Sequence, residues 1–131
     1  MKKEVVKLTS AALLVFAASA PEVLYAETKS LKDGVYTAEQ AESGKAVYQQ
    51  FCSACHVPAF YQDKLNVWKN QPLSGLYDSI VTSMPGDNPG ALLLQEYTDV
   101  LAYIFSTLNY PSGETALNHE DGSMESIIIA D

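Results

Sequence analysis

Two cysteines and a histidine stand together in Cys52-Ser53-Ala54-Cys55-His56, and the chain has no other cysteine. A disulfide between thiols three positions apart would close a tiny loop and contribute little stability, so the pair points to other chemistry. A C-x-x-C-H run is the pattern of covalent haem attachment. The two thiols add to the porphyrin's two vinyl groups, and the adjoining imidazole is thereby placed under the iron as its ligand. Two rival chemistries fit less well. A redox-active C-x-x-C opens a helix after a strand in a βαβ setting, and no strand pattern precedes Cys52. A structural zinc needs four ligands, and only His119 is left to join these three. Zinc also gives no reason for Cys55 and His56 to be adjacent.

An iron held by His56 on one face needs a second axial ligand. Met84, in Ser83-Met84-Pro85-Gly86, falls in a turn-rich loop between two helical patterns, where a thioether can be presented to a metal. An isolated loop methionine ordinarily fills a packing gap, but downstream of C-x-x-C-H the ligand role is the better reading. Met124 and His119 are weaker candidates because they lie in a polar tail. Thioether ligation raises a haem's potential relative to two histidines, and a filled sixth position suppresses binding of oxygen or peroxide. That chemistry is electron transfer. No constellation of side chains suggests acid–base or nucleophilic catalysis, so the chain reads as a carrier, not an enzyme.

These residues must be positioned by helices. Thr37 reads as an N-cap, with Gln40 three positions on closing a capping box. The helix 38–51 then places Ala41, Gly44, Tyr48 and Phe51 on one stripe. Gly44 costs roughly 1 kcal/mol in a helix interior, which a close helix–helix crossing would justify. Residues 57–71 read as an irregular connection rich in aromatic and apolar side chains. Pro72 suits the first turn of a short helix whose stripe is Leu73, Leu76, Tyr77, Ile80 and Val81. It stops at the turn-rich run from Met84 to Gly90. The last helix, about 94–108, carries Tyr97, Val100, Leu101, Ile104, Phe105 and Leu108 on one face. Residues 27–36 read as a loose leader, and the acidic tail 114–131 offers only Ile127-Ile128-Ile129 as a piece to dock. With no convincing sheet, the expected class is all-α.

The 131 residues divide into an export segment and one domain. Lys2, Lys3 and Lys7 form a positive start, and the apolar stretch Leu8 to Ala20 is too short for a mature membrane helix but suits a signal peptide. Cleavage is expected after Ala26, because a cut after Ala20 would leave Pro21 at the new terminus; an uncleaved anchor is the alternative. The expected domain, 27–131 with its core at about 38–110, is small enough that a buried cofactor would supply core it otherwise lacks. It keeps five lysines and no arginine against fourteen Asp and Glu, a formal charge of −9. That argues against nucleic acid and anionic membranes as partners and favours a protein with a basic docking patch; the blander reading is that the charge serves solubility.

Over about residues 38–110 the chain resembles the class I c-type cytochromes, single-haem proteins built on three main helices. In that family a glycine stands eight positions before the first cysteine and an aromatic four before it, matched here by Gly44 and Tyr48. The resemblance implies that they cross the last helix at Val100 and Tyr103. It implies haem c as the cofactor, Cys52 and Cys55 as its attachment points, and His56 and Met84 as axial ligands. A narrower similarity lies in MPGDNPGALLLQEYTDVLAYIF, NYPSGETAL and ESIII, which resemble periplasmic cytochromes and fused haem domains serving quinoprotein alcohol dehydrogenases. It implies a periplasmic one-electron carrier that takes electrons from a dehydrogenase and passes them to an oxidase or another cytochrome. The alternatives are a haem peroxidase or sensor, and a permanent subunit of a dehydrogenase complex. Two departures stand out. His56 and Met84 are 28 positions apart, shorter than the family usually has, and the family's histidine-orienting proline has no clear counterpart, Pro58 and Pro72 both being possible. Where relatives often cap the last helix with serine, this chain has Leu93, and Leu92, Leu93 and Leu94 suggest a docking surface.

Overall fold

Thr37 begins the first helix as expected, its hydroxyl accepting the Gln40 N–H at 3.1 Å. The computed structural model describes residues 27–130; the export segment expected over 1–26 lies outside the described residues. Four helices dominate: α1 (Ala38–Phe51), α2 (Phe60–Val67), α3 (Leu73–Ser83) and α4 (Leu94–Thr107). Two short strands, β1 (Lys29–Ser30) and β2 (Ile127–Ile128), pair in parallel and join the two ends of the described chain. The architecture is mostly helical, in keeping with the expected all-α class.

The centre of the fold is the crossing of α1 over α4. A side chain at Gly44 would overlap the Asp99 carbonyl and come within 2.9 Å of the Val100 nitrogen. The two backbones are therefore in direct contact, which accounts for a glycine in a helix interior. Beside this point the Tyr48 and Tyr103 rings lie 5.1 Å apart, and Tyr48 packs in a buried cluster with Val100 and Ile104. The expected crossing is borne out, with one correction: Ala41, Gly44 and Tyr48 are buried, but Phe51 at the end of the stripe is 42% exposed.

Several expectations built on local pattern give way to tertiary contacts. Residues 57–71 are not irregular: Phe60–Val67 is helical, and Leu65 is its buried residue. Pro72 sits at the N-cap of α3, one residue before the helix proper. The capping box at Thr37 does not close, because the buried Gln40 amide is used elsewhere. Its Nε2 donates to the Leu117 carbonyl and its Oε1 accepts the Leu117 N–H, both at 2.8 Å. This two-point amide pair gives the tail a strand-like partner inside the core.

The leader is the larger correction, whereas the tail docks through Ile127, Ile128 and Ile129 as an extended piece, as expected. Leu31, Val35 and Tyr36 are buried in the main core with Leu117, Met124, Ile127 and Ile129. Lys29 donates to the Ser126 carbonyl at 2.9 Å, Asn70 to Ile129 at 2.7 Å, and Ile129 back to Gln71 at 3.0 Å. Residues 27–36 are thus no loose leader. Together with the tail they form a strap across the start of α3, and the folded core reaches well beyond 38–110. Tyr36 anchors one end, its hydroxyl donating to the Tyr110 carbonyl at 2.6 Å. There Gly34, at φ 65°, and Gly113 approach so closely that neither leaves room for a side chain.

Candidate functional site

The C-x-x-C-H run occupies the turn that ends α1. The Cys52 and Ser53 N–H groups both donate to the Tyr48 carbonyl at 2.9 Å, closing the helix. Cys55 and His56 then donate to the Cys52 carbonyl at 3.1 and 2.9 Å, which folds the peptide back on itself. Both thiols are free; Cys55 is exposed and Cys52 half-buried. Burial pushes the Cys52 thiol above its ordinary pKa.

His56 is held by aromatic residues of two helices. From α1, the Tyr48 hydroxyl donates to the His56 carbonyl at 2.8 Å. From α2, Phe60 stacks on the imidazole with ring centroids 4.9 Å apart, and Tyr61 meets it at 5.8 Å. Tyr61 also contacts Tyr48 at 6.1 Å, so the three tyrosines Tyr61, Tyr48 and Tyr103 run from the histidine into the α1–α4 crossing. Burial, with Tyr48 as neighbour, raises the Tyr61 pKa steeply; burial raises that of Tyr48 too. Both phenols stay protonated and available as donors at neutral pH. Lys64 lies over the Phe60 ring, 5.0 Å from its centroid. The helix that sequence pattern missed is therefore the one that packs on the histidine.

Met84 stands on a different wall, formed by α3 and α4. It is the C-cap of α3, its N–H donating to the Ile80 carbonyl at 2.9 Å. Its carbonyl accepts the Tyr97 hydroxyl at 2.7 Å and the Gly90 N–H at 3.1 Å. The backbone is fixed while the thioether is left exposed. Met124, by contrast, is buried among the tail's core residues, and His119 stacks on Tyr77 at 6.1 Å. Each is packed away from the Met84 loop, and the buried His119 Nδ1 has no hydrogen-bond partner among the described residues.

The exposed large apolar side chains of the described residues share a distribution. Phe51, Val57, Phe60 and Val67 flank His56 in sequence, while Met84, Leu93 and Leu94 belong to the loop and helix start on the other wall. Elsewhere Leu, Ile and Phe side chains are buried at least in part. Cys52, Cys55 and His56 come together in one turn and Met84 is held on a separate segment; two thiols, an imidazole and a thioether are a donor set whose chemistry fits a covalently held haem. A shallow groove of about 460 Å³ lies by the α1–α4 crossing, lined by residues including Tyr36, Glu42, Lys45 and Tyr103, and takes in none of Cys52, Cys55, His56 or Met84.

Pro58 gives its carbonyl to the Tyr61 N–H at 3.1 Å, starting α2, and Pro72 caps α3 while bridging to Ile128. Both prolines thus serve helix starts. What the sequence reading missed is the Tyr48 hydroxyl and the Phe60–Tyr61 pair; an i, i+4 spacing of Tyr61 and Leu65 was the available signal. No known protein family, curated protein or solved structure matches the chain.

Proposed function

We propose that this chain is a c-type cytochrome of the class I kind, an exported one-electron carrier with a single haem. The reading is carried by one observation. The C-x-x-C-H turn closes α1 with both thiols free and its histidine packed on aromatic rings, and Met84 ends α3 with its side chain exposed. Haem c, when bound, supplies an iron that carries one electron at a time. Cys52 and Cys55 would hold it covalently, and His56 and Met84 would bind its iron.

The chain's own contribution is to hold, orient and shield. Tyr48 fixes the His56 carbonyl, and Phe60 and Tyr61 restrict the imidazole's rotation about its side-chain bonds. Tyr97 ties the Met84 backbone to α4, so the thioether starts from an anchored residue. A thioether from Met84 on the iron would disfavour small-molecule ligands, and the carrier reading is preferred to a peroxidase or sensor on that ground. The acidic charge and the resemblance to cytochromes of quinoprotein dehydrogenases support a periplasmic dehydrogenase as electron donor and an oxidase or cytochrome as acceptor. Export with cleavage after Ala26 belongs to the same reading, because haem is attached to such sites outside the cytoplasm.

The test is production in a host competent for cytochrome maturation. The product is expected to be red, to carry the added mass of one haem through denaturation, and to show the weak far-red sulfur-to-iron band when oxidised. A colourless product of unmodified mass overturns the reading. Met84→Ala is expected to abolish the far-red band, lower the potential and admit imidazole or carbon monoxide; an unchanged spectrum assigns the sixth ligand elsewhere.

A further inference from the structure

The charge of this chain is divided along its length. From Asn70 to the C-terminus there is no lysine or arginine, while every lysine of the described residues lies between Lys29 and Lys69. The earlier part is balanced: five lysines face the five carboxylates of Glu27, Asp33, Glu39, Glu42 and Asp63. The net negative charge therefore falls on α3, the Met84 loop, α4 and the tail. Within the candidate site the division separates the two walls. Lys64 rides over Phe60 on the His56 side, whereas Asp78 and Asp87 are exposed on α3 and in the Met84 loop.

That acidic wall also carries exposed apolar surface. Leu93 is 71% exposed and Leu94 49%, and Tyr97 and Tyr77 tie them to the Met84 loop and to α3. The Tyr97 hydroxyl bonds the Met84 carbonyl at 2.7 Å, and the Tyr77 hydroxyl bonds the Leu94 carbonyl at 3.1 Å. Leu93 holds the N-cap of a 14-residue helix, a position where Ser, Thr or Asp is worth about 1 kcal/mol. Only the Glu96 carboxylate, accepting the Leu93 N–H at 2.7 Å, serves that end. The chain gives up a helix cap and leaves an apolar side chain in water at the same residue. Of the three leucines, Leu92 is buried and takes no part in this surface.

We infer that the exposed face formed by Leu93 and Leu94, beside the Met84 loop, is the docking site for a redox partner protein whose contact surface is apolar and rimmed by lysine and arginine. The inference rests on the reading of the chain as a haem electron carrier and names the surface and chemistry of its partner. A second copy of the chain is disfavoured as the occupant, since it would set carboxylate against carboxylate across the contact. An anionic membrane is disfavoured for the same reason.

The test uses a lysine-rich mitochondrial-type cytochrome c as the probe. One electron passes from the reduced chain to the oxidised probe, and stopped-flow absorbance follows the second-order rate as salt is varied. The wild-type rate is expected to fall steeply with salt. Asp78→Lys with Asp87→Lys is expected to lower the low-salt rate by tenfold or more and flatten the salt dependence. Leu93→Ser with Leu94→Ser is expected to slow transfer severalfold at every salt concentration, with visible spectrum and potential unchanged. Lys45→Glu, on α1, is the control and is expected to leave the rate within twofold. The inference is overturned if the leucine pair changes nothing, or if it alters the spectrum, which would make those residues a cover for the porphyrin. It is also overturned if Glu120→Lys with Asp121→Lys in the tail matches the effect of Asp78 and Asp87. Amide shifts of the labelled chain on adding the probe are read independently of any haem. Shifts centred on 83–95 support the docking face, shifts centred elsewhere overturn it, and a colourless chain overturns only the proposed function.

Discussion

Tyr48 joins two jobs that sequence spacing separates. Its ring packs at the α1–α4 crossing, and its hydroxyl reaches the His56 carbonyl at 2.8 Å, eight residues on. The aromatic character of position 48 was legible in the helical stripe. The hydroxyl's partner was not, because it depends on how the chain folds back after Cys52. Tyr48→Phe keeps the ring and removes the bond, so it is expected to cost about 1 kcal/mol, and up to about 3 kcal/mol if the carbonyl is left buried without a donor. Urea unfolding midpoints check this; an unchanged midpoint would mean that water replaces the hydroxyl at no cost. The two thiols make a second test. Cys55 is exposed, while Cys52 is half-buried with its thiol pKa raised by burial, and the thiolate is the reacting form. In chain made without haem, iodoacetamide is expected to modify Cys55 severalfold faster than Cys52, as read by peptide mass. In the mature product neither is expected to react.

At the level of elements, α1, α3 and α4 were readable because each carries a long apolar stripe at helical spacing, and the structure places them within a residue of expectation. The short α2 left only a faint trace, the i, i+4 pair Tyr61 and Leu65. It buries only Leu65, so most of its side chains carry no periodic signal, and its helical state goes with packing on His56. The crossing of α1 and α4 has the sharpest consequence. Gly44→Ala drives a methyl group into the Asp99 carbonyl, a backbone atom that cannot rotate away. The helices must separate, and a loss of about 1–3 kcal/mol or more is expected, seen as a lower denaturation midpoint. Tolerance of alanine at full stability would show that the crossing is looser than backbone contact. The strap makes the opposite lesson: β1 and β2 have two residues each, too few for any alternation to show, and only their pairing across the whole chain defines them.

For the whole molecule, the strap is where acid is expected to act first. Hydrogen bonds from the Ser30 backbone N–H and hydroxyl hold the Asp33 carboxyl below its ordinary pKa, and bonds from the Ser123 hydroxyl and N–H do the same for Asp121. A carboxyl with a depressed folded-state pKa stabilises the fold above its unfolded value, and that contribution is lost as pH falls through the folded value. Both carboxyls lie in the leader and tail, so below about pH 4 the strap is expected to loosen before the α1–α4 crossing. Amide exchange checks the order: Lys29 and Ile129 should lose protection at higher pH than Cys52, and simultaneous loss would contradict it. The sequence by itself determined the C-x-x-C-H turn, the three striped helices, the glycine at their crossing and the acidic balance, because each is a matter of residue type and local spacing. Only the tertiary structure decided that Gln40 bonds Leu117, that Phe60 and Tyr61 pack on His56, and that residues 27–36 and the tail close over α3. Those contacts join residues distant in the chain or on short elements, and their geometry exists only once the long helices have brought the segments together.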